Sequence, residues 1–339
     1  MPRGKSYAHQ IANSCNLPFS HVTVDSNLDC FLCQCDGWLP VPIGNVFNFE
    51  TFEDVWSSPT ARMLQTNIDE KKYTWCAVNH CGVTAKDVRN YAPHTLHINI
   101  DDSCNLACPS CRRELRMLDQ GPEFENKTRG LAHILKWLEK FEHPIMISLG
   151  GTGDALASQL CRDFIKKYQH KVTQTFRITT NGLLLRKVIE NSSIRQAISI
   201  FSVSVDAGTK EVYEDVRRPG KWSVLLENLL WLSENRGKSA VLLNFVLQNK
   251  NFKDLPAFVE LCQKFSFGGS IQSLNDWGTW NSKPVPTPDA WTLQNETFLD
   301  HNVADSSHPQ HAEFLQVLRN LIKHDYNFLT ISSFFNQFQ

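Results

Sequence analysis

The chain lacks several features that would place it in a common class of protein. Its 339 residues carry a net charge of −1, whereas a protein that coats nucleic acid needs a basic excess to neutralise phosphates. No run of about 18 apolar residues is present, which speaks against a membrane-spanning helix. Residues 1–18 contain no apolar core followed by small residues, so a secretory signal is not expected. We therefore expect a cytoplasmic protein with neither general nucleic-acid binding nor membrane association.

Motifs of several enzyme classes are also missing. No GxSxG or Walker-type loop occurs, which argues against simple hydrolases and phosphate-loop enzymes. The twelve histidines form no HxxxH or HExxH pair, so a separate mononuclear metal site lacks support. In contrast, the chain contains 11 cysteines, and cysteines in a reducing compartment seldom form lasting disulfides. Their abundance therefore needs another explanation.

The cysteines fall into three groups along the chain. Three form the spacing CxxxCxxC at Cys104, Cys108 and Cys111. Two, Cys161 and Cys262, lie in amphipathic helical patterns, where a free cysteine usually behaves as a small buried hydrophobe, and they are given no function. The other six lie in the first quarter of the chain: Cys15, Cys30, Cys33, Cys35, Cys76 and Cys81.

From residue 95 onward, short apolar runs alternate with amphipathic helical patterns. Six such steps favour a parallel α/β architecture, either a partial or complete barrel or an open doubly wound sheet. The predicted strands cover 95–100, 145–149, 175–179, 198–205, 241–247 and 270–274. The predicted helices cover 127–141, 155–168, 184–190, 222–233, 255–265 and 312–323. We predict a cysteine-rich domain at 1–92, an α/β core at 93–276 and a partly helical extension at 277–339.

The CxxxCxxC loop directly follows the first predicted strand of the core, where a barrel carries its chemistry. Three thiolates from one short loop can hold three irons of a 4Fe-4S cluster and leave the fourth iron open to an outside ligand. The alternative is a zinc site that joins the same cysteines to His97, although no fourth ligand lies at a usual zinc spacing. The spacing therefore predicts Cys104, Cys108 and Cys111 as ligands of an iron–sulfur cluster.

Motifs after the next three predicted strands complete a pattern that resembles the radical S-adenosylmethionine (radical SAM) superfamily. SLGGTGD at 148–154 is similar to the family's glycine-rich segment, and TTNG at 179–182 is similar to its TNG segment. SVSVD at 202–206 resembles its SxD element, and YEDVRRPG at 213–220 resembles the segment that supplies an arginine. Each motif is weak alone. Their order after successive strands carries the resemblance.

The resemblance implies a partial (β/α)6 TIM-type barrel that binds S-adenosyl-L-methionine beside a catalytic 4Fe-4S cluster. The carboxylate of Asp154 would pair with the cofactor ammonium, and Ser204 would lie near its carboxylate. Ser110 stands where the family often has an aromatic residue near adenine, so the adenine contact is unassigned. The implied cofactor-binding residues are Gly150, Gly151, Asp154, Thr180, Asn181, Ser204 and Arg217, with Arg218 as the alternative arginine.

The N-terminal cysteines belong to a second pattern. CNLPF at 15–19, CxxCxC at 30–35, IGN at 43–45, WSSPTAR at 56–62 and CxxxxCG at 76–82 resemble the SPASM/Twitch auxiliary-cluster domain. In the family this small cysteine-rich domain usually follows the core, whereas here it precedes the core. The reversed order leaves its orientation against the active site open.

Six cysteines cannot fully ligate two 4Fe-4S clusters, but four suffice for one auxiliary cluster. The predicted ligands are Cys15, Cys33, Cys76 and Cys81. Cys15 and Cys33 lie on the two arms of a predicted hairpin, and Cys30 and Cys35 are the alternatives for the middle ligand. The competing hypothesis is a zinc ribbon made from Cys30, Cys33, Cys76 and Cys81.

Together the resemblances imply a radical SAM enzyme of the oxidoreductase or maturase type. It would reductively cleave S-adenosylmethionine to a 5′-deoxyadenosyl radical and abstract hydrogen from a peptide or protein side chain. Radical dehydrogenation or rearrangement of a small metabolite is the alternative activity, and a non-catalytic iron–sulfur or zinc protein is the alternative outside the enzymes. A reducing electron donor such as flavodoxin or ferredoxin is the implied partner. Trp277 and Trp280 are expected near the barrel mouth, as a packed lid or as pocket lining.

Overall fold

The computed structural model describes residues 15–33, 39–76, 94–112, 114–275, 296–324 and 326–338. Cys35, Cys81, Trp277 and Trp280 lie outside these residues, and the predictions that involve them concern positions outside the described ranges. Among the residues that are described, no helix is both long enough and apolar enough to cross a membrane.

The described residues form one ten-stranded sheet. The strands are β1 (His21–Val24), β2 (Asp29–Phe31), β3 (Gly44–Asn45), β4 (Thr95–Ile98), β5 (Ile145–Leu149), β6 (Gln174–Thr180), β7 (Ile198–Ser204), β8 (Ala240–Leu247), β9 (Gly268–Ser273) and β10 (Leu329–Ile331). Their order across the sheet is β10-β9-β8-β7-β6-β5-β4-β1-β2-β3. The β1-β2 and β2-β3 pairs are antiparallel, and every other neighbouring pair is parallel.

The strand order distinguishes the two architectures that the sequence left open. Strands β4 to β9 lie side by side in chain order, whereas a doubly wound sheet reverses its order at a switch point. The sheet ends at β3 on one side and β10 on the other, so it is not closed. The protein therefore has a mixed α/β fold with a partial barrel, and the doubly wound alternative is wrong.

Helices cover the outer face of the sheet. They are α1 (Phe52–Ser57), α2 (Pro59–Asp69), α3 (Gly121–Lys140), α4 (Gln159–Lys167), α5 (Leu185–Ile189), α6 (Lys210–Val216), α7 (Trp222–Asn235), α8 (Leu255–Phe265), α9 (Glu296–His301) and α10 (His311–Ile322). α3 begins six residues earlier than its apolar periodicity predicts, because its polar first turns start at Pro122, a residue favoured near a helix start. α6 and β10 were not predicted.

The two faces of the sheet differ in chemistry. Phe176 of β6 packs against Phe164 of α4 with ring centroids 6.1 Å apart, and Phe245 of β8 packs against Phe258 of α8 at 4.9 Å. These outward side chains belong to the apolar core. Because side chains alternate along a strand, the neighbours of such residues point to the inner face. These inner-face neighbours include Arg177, Ser202 and Asn244.

The N-terminal segment joins the sheet of the core. β1 pairs in parallel with β4, and His21 lies opposite Thr95. Helix α3 lies close to the same segment, since a Cβ added at Gly130 would stand 2.5 Å from the side chain of Leu28. The indole N–H of Trp137, also on α3, donates to the carbonyl of Phe49 at 3.1 Å. The segment therefore packs on the first strand and the first long helix of the core.

Candidate active site

The three cysteines of the CxxxCxxC motif lie on the loop that leaves the carboxyl end of β4. The N–H of Cys104 donates to the carbonyl of Arg116 at 2.7 Å, and the N–H of Cys111 donates to the carbonyl of Cys108 at 2.9 Å. Burial raises the pKa of Cys108 to about 12; Arg217 opposes the rise, whereas Cys111 and Cys104 add to it. The folded loop therefore brings the three thiols close enough to influence one another electrostatically.

Nitrogen donors from this chain surround the thiols. Nδ2 of Asn181 lies 3.9 Å from Sγ of Cys104, and Nη1 of Arg217 lies 3.9 Å from Sγ of Cys108. The backbone N–H of Leu106 donates to Sγ of Cys104 at 3.4 Å. N–H donors and positive charge stabilise thiolates and tune the clusters that thiolates hold. The residues present thus fit an iron–sulfur cluster.

Glycines allow the 148–154 segment to lie directly on the cysteine loop. A Cβ at Gly151 would stand 2.5 Å from Oδ1 of Asn99. A Cβ at Gly153 would stand 2.6 Å from the carbonyl oxygens of both Asp101 and Ser103. A larger residue at either position would push the two loops apart, so their close approach depends on glycine.

Asp154 ties the glycine loop to the TTNG turn. Its buried carboxylate accepts hydrogen bonds from the N–H groups of Leu156 at 2.9 Å, Ala157 at 3.0 Å and Asn181 at 2.5 Å, and from the hydroxyl of Thr180 at 3.0 Å. Burial raises the pKa of Asp154, and these donors oppose the rise. Four donors match the roughly four acceptor positions of a carboxylate, so an ammonium contact requires one donor to turn away. Only the Thr180 hydroxyl, among the four, is free to rotate.

The TTNG turn reaches both of the other loops. Gly182 adopts a φ of +84°, which favours glycine at the end of the turn. Nδ2 of Asn181 donates to Oδ1 of Asn105 in the cysteine loop at 2.8 Å. On the other side, a Cβ at Gly150 would stand 2.7 Å from the carbonyl oxygen of Thr179. Thr180 and Asn181 therefore lie between the cysteine loop and the glycine loop.

A buried ion pair lies behind the cysteine loop. Nη2 of Arg217 lies 2.6 Å from Oδ2 of Asp206, and their side chains are only 14% and 5% exposed. Burial lowers the pKa of Arg217, but Asp206 and Cys108 contribute most to raising it above the ordinary value. Burial raises the pKa of Asp206, and Arg217 is the main opposing influence. Each charge therefore compensates the other inside the protein.

The two arginines of the YEDVRRPG segment have different surroundings. Arg218 is exposed and its guanidinium pairs with Asp215, while its carbonyl accepts from the N–H of Ala107 at 2.7 Å. Arg217 is the one of the two whose guanidinium contacts the cysteine loop. Ser204 ends β7 nearby and is half-buried.

The predicted hairpin between Cys15 and Cys33 is formed by β1 and β2. Thr23 pairs with Phe31, so continuing this register places Cys33 opposite His21, at the start of β1. The hydroxyl of Thr23 donates to the carbonyl of Cys33 at 2.6 Å. Cys15 precedes the short turn that leads into β1. The hairpin therefore brings both cysteines to the amino end of this strand.

Cys76 and Cys30 occupy different environments. Cys76 is half-buried and follows α2, whose Gln65 donates through Nε2 to the carbonyl of Pro18 at 3.1 Å. This contact holds α2 against the turn that follows Cys15. Cys30 lies fully buried in β2 within the apolar core, and burial raises its pKa well above the ordinary value.

Cys15 and Cys33 lie towards the opposite end of the sheet from the CxxxCxxC loop. β1 and β4 are parallel, so the amino end of β1, where Cys15 and Cys33 lie, is also the amino end of β4. The loop with Cys104 instead follows the carboxyl end of β4. A strand of four residues is about 13 Å long, which gives the scale of this separation along the strand. Cys15 and Cys33 therefore lie away from the carboxyl ends of the core strands, where the CxxxCxxC loop lies.

His97 lies on β4, and its ring contacts the carbonyl of Gly150. Within 15–33, 39–76, 94–112, 114–275, 296–324 and 326–338, no group of three or more His, Cys, Asp or Glu side chains could hold a single metal ion.

Sequence reasoning missed two residues that join the loops. The guanidinium of Arg112 donates to the carbonyl of Asp102 at 2.7 Å and also to the carbonyl of Thr152. Oδ1 of Asn99 accepts from the N–H of Thr152 at 2.9 Å. The position of Arg112 directly after the third cysteine is a signal that could have drawn attention to it. Asn99 carries no comparable signal.

Comparison with known proteins identifies the family. Residues 98–262 match the model of the Radical SAM superfamily, and residues 15–82 match SPASM, an iron–sulfur cluster-binding domain. The chain belongs to the radical SAM superfamily. It is a member whose SPASM domain precedes the core, and its cofactors are 4Fe-4S clusters and S-adenosyl-L-methionine. The predicted family, auxiliary domain and cofactors are thereby confirmed.

Individual relatives are distant. A probable GTP 3',8-cyclase of Methanocaldococcus jannaschii is 26% identical over 170 residues, which are 50% of this chain and 55% of that protein. The match thus spans about half of this relative's length. Streptococcus suis SuiB bound to precursor peptide SuiA has 13% identity and a TM-score of 0.44, over 80% of this chain and 62% of that chain. Native anSMEcpe with bound AdoMet has 15% identity and a TM-score of 0.43, over 72% and 65%.

Proposed function

We propose that this chain reductively cleaves S-adenosylmethionine and abstracts hydrogen from a substrate, a peptide or protein side chain. One observation carries the proposal: four segments converge at the carboxyl ends of the core strands. The cysteine loop contacts the glycine loop, the TTNG turn and the segment with Arg217, each through the atoms described above. This convergence brings a metal-ligating loop and polar loops to one place.

The ligands of the catalytic cluster in this proposal are Cys104, Cys108 and Cys111. When bound, the cluster and S-adenosylmethionine supply a 5′-deoxyadenosyl radical, which takes hydrogen from an unactivated C–H bond. Leu106, Asn181 and Arg217 direct N–H groups at the thiolates and thereby stabilise their charge.

The remaining residues of the site orient the cofactor. Gly150 and Gly151 let the backbone approach its methionine part, and Thr180 and Asn181 flank its ribose. Asp154 holds the glycine loop on the TTNG turn and accepts the cofactor ammonium when the hydroxyl of Thr180 turns away.

Ser204 and Arg217 bind the cofactor carboxylate in this proposal. Nε of Arg217 is buried and has no hydrogen-bond partner among the described residues, so it remains available as a donor. The two other guanidinium nitrogens already contact Asp206 and Cys108. Arg217 can therefore bind a carboxylate without giving up its ion pair.

The N-terminal domain contributes a second cluster, with Cys15, Cys33, Cys76 and Cys81 as proposed ligands. It accepts an electron from the substrate radical or binds the substrate, and a reducing donor such as flavodoxin or ferredoxin supplies the catalytic cluster. A small metabolite is the second substrate class. The similarity to a protein named as a probable GTP 3',8-cyclase favours it. A short peptide-coding frame beside the gene would favour the peptide instead.

The test is formation of 5′-deoxyadenosine by anaerobically reconstituted protein with dithionite, measured by liquid chromatography and mass spectrometry. The wild-type protein should form it, and the triple variant Cys104→Ala, Cys108→Ala, Cys111→Ala should not. The matched control is Cys262→Ala, because Cys262 is buried in α8 and lies outside the cysteine loop. Cleavage that persists in the triple variant would overturn the proposal.

A further inference from the structure

Four adjacent strands contribute a chain of hydrogen-bonded polar side chains to the inner face of the sheet. Nδ2 of Asn244 donates to Oγ of Ser202 at 2.9 Å, and Nε2 of Gln272 donates to Oδ1 of Asn244 and to Oγ of Ser270, both at 3.2 Å. At the other end, Nη2 of Arg177 donates to Oγ of Ser202 at 3.3 Å. A closed barrel fills this face with layers of bulky apolar side chains. The inner face of this protein is instead suited to a polar ligand.

Arg177 is the charged member of this polar chain. Its guanidinium donates to Ser202, a neutral partner, and forms no ion pair within the described residues. Burial lowers the pKa of Arg177, and no charged neighbour contributes to the shift. A guanidinium nevertheless stays protonated in proteins, and a partly buried charge without a counter-charge is costly. Arg217, in contrast, has Asp206 at 2.6 Å.

Hydroxyl groups lie on both sides of Arg177. Ser148 of β5 is its register partner, so its side chain points to the same face, and Ser202 of β7 is in hydrogen-bond contact. The guanidinium of Arg177 supplies several N–H donors, and the two hydroxyls beside it can also donate. Neither hydroxyl carries a negative charge that would repel an anion. Guanidinium groups bind carboxylates and phosphates in bidentate fashion, and this donor set matches both.

The position of Arg177 on the sheet determines the shape of a ligand that can contact both Arg177 and the cysteine loop. It lies four residues before Asn181 on the same chain, which corresponds to about 13 Å along a strand. Asn181 contacts the cysteine loop. A ligand that reaches from Arg177 to that loop is therefore elongated, with its anionic group away from the cysteines.

We infer that Arg177, with the hydroxyls of Ser148 and Ser202, binds an oxyanion of the substrate, either a carboxylate or a phosphate. The inference rests on the proposed function, because a substrate must enter the inner face to bring a C–H bond to the cofactor. It adds that the substrate is anionic and elongated. The oxyanion is held deep in the barrel and the reacting carbon lies at the carboxyl ends of the strands.

Calorimetric titration of the reconstituted protein with S-adenosylmethionine bound tests the site. Inorganic pyrophosphate probes for phosphate and succinate probes for carboxylate. We expect the wild-type protein to bind one of the two, and Arg177→Gln to weaken that binding at least tenfold, with Arg177→Lys intermediate. Ser202→Ala should weaken it severalfold. Arg129→Gln is the matched control, because Arg129 is exposed on α3; it should leave both probe binding and 5′-deoxyadenosine formation unchanged.

Thermal unfolding separates loss of the site from loss of the fold. The bound probe should raise the Tm of the wild-type protein and of Arg129→Gln, but not that of Arg177→Gln. Without probe, Arg177→Gln should unfold no earlier than wild type, because the substitution removes a charge that has no counter-charge in the described part of the chain.

The outcomes bear separately on the two proposals. Binding of pyrophosphate alone supports a phosphate-bearing substrate, and binding of succinate alone supports a carboxylate such as an acidic side chain. If neither probe binds, or if Arg177→Gln binds as tightly as wild type, the oxyanion site is wrong even though 5′-deoxyadenosine is formed. If the wild-type protein forms no 5′-deoxyadenosine, the proposed function fails whatever the probes show.

Discussion

Arg217 links Asp206 to the cysteine loop, since its Nη2 lies 2.6 Å from Oδ2 of Asp206 and its Nη1 lies 3.9 Å from Sγ of Cys108. Asp206 adopts a φ of +58°, a left-handed conformation that is uncommon outside glycine. This backbone turn directs its carboxylate towards Arg217. The geometry couples the end of β7 to a proposed cluster ligand.

Removing the carboxylate should destabilise the protein. Asp206→Asn leaves the buried guanidinium of Arg217 without a counter-charge, and breaking a buried pair in this way costs about 3–5 kcal/mol. Anaerobic denaturant unfolding measures the free energy of unfolding. Asp215→Asn is the control, because its pairs with Arg218 and Lys250 are partly exposed and such pairs contribute at most about 1 kcal/mol. Equal losses in the two variants would contradict the role of the buried pair.

A methyl group at Gly153 should damage the iron site. In Gly153→Ala, the new Cβ meets the carbonyl oxygens of Asp101 and Ser103 at 2.6 Å, so the backbone must move and the cysteine loop with it. We expect iron content after reconstitution to fall by several atoms per chain. Gly237→Ala is the control: its Cβ meets nothing within 4 Å, so only its positive φ of +58° costs about 1 kcal/mol. Full iron content in Gly153→Ala would refute the packing argument.

The iron content of two cysteine variants should show whether Cys33 or Cys30 is a ligand of the auxiliary cluster. Wild-type protein should hold about eight irons per chain, and Cys33→Ala about four, because one 4Fe-4S cluster is lost. Cys30→Ala should keep about eight, because Cys30 pairs with Val24 at the carboxyl end of β1, whereas Cys15 and Cys33 lie at its amino end. Iron and acid-labile sulfide analysis decides this, with zinc measured in parallel. About four irons and one zinc in the wild-type protein would favour the zinc ribbon.

His21 should make stability depend on pH. Burial, followed by His94 and His97, lowers its pKa from 6.5 to about 4. As the pH falls, the unfolded chain therefore binds the proton first. The contribution of His21 to the free energy of unfolding is fully present above pH 6.5 and is lost towards pH 4. Its limiting slope is about 1.4 kcal/mol per pH unit.

The measurement is the free energy of unfolding between pH 7.5 and 5.5, about the range that covers the onset of this titration. His21→Gln should flatten the decline below pH 6.5, whereas His324→Gln, which changes an exposed histidine, should not. An identical pH dependence in wild type and His21→Gln would show that another group causes the decline.

Much of the fold could be predicted because its signals are local. The six predicted core strands correspond to β4 to β9, since buried strands and amphipathic helices have distinct periodicities. β10 has three residues and exists through its pairing with Gly269 and Ile271 of β9, so no periodicity reveals it. The seven-residue α6 is likewise too short for a clear pattern. Its sequence was interpreted only as the segment that supplies an arginine.

The sequence alone determined the family and its cofactors, through the CxxxCxxC loop, the ordered motifs after each strand and the cysteines before the core, which together resemble radical SAM and SPASM sequences. Each of these motifs is a contiguous stretch of the chain, so it can be recognised without a structure. Only the pairing of segments that are distant in the chain decided which side chains lie together. Strand register and burial decided that Arg217 and not Arg218 faces the cysteine loop, and that Cys15 and Cys33 lie at the other end of the sheet. Among the described residues they also left Arg177 on the inner face without a counter-charge, because the partners of a charge depend on which strands lie side by side.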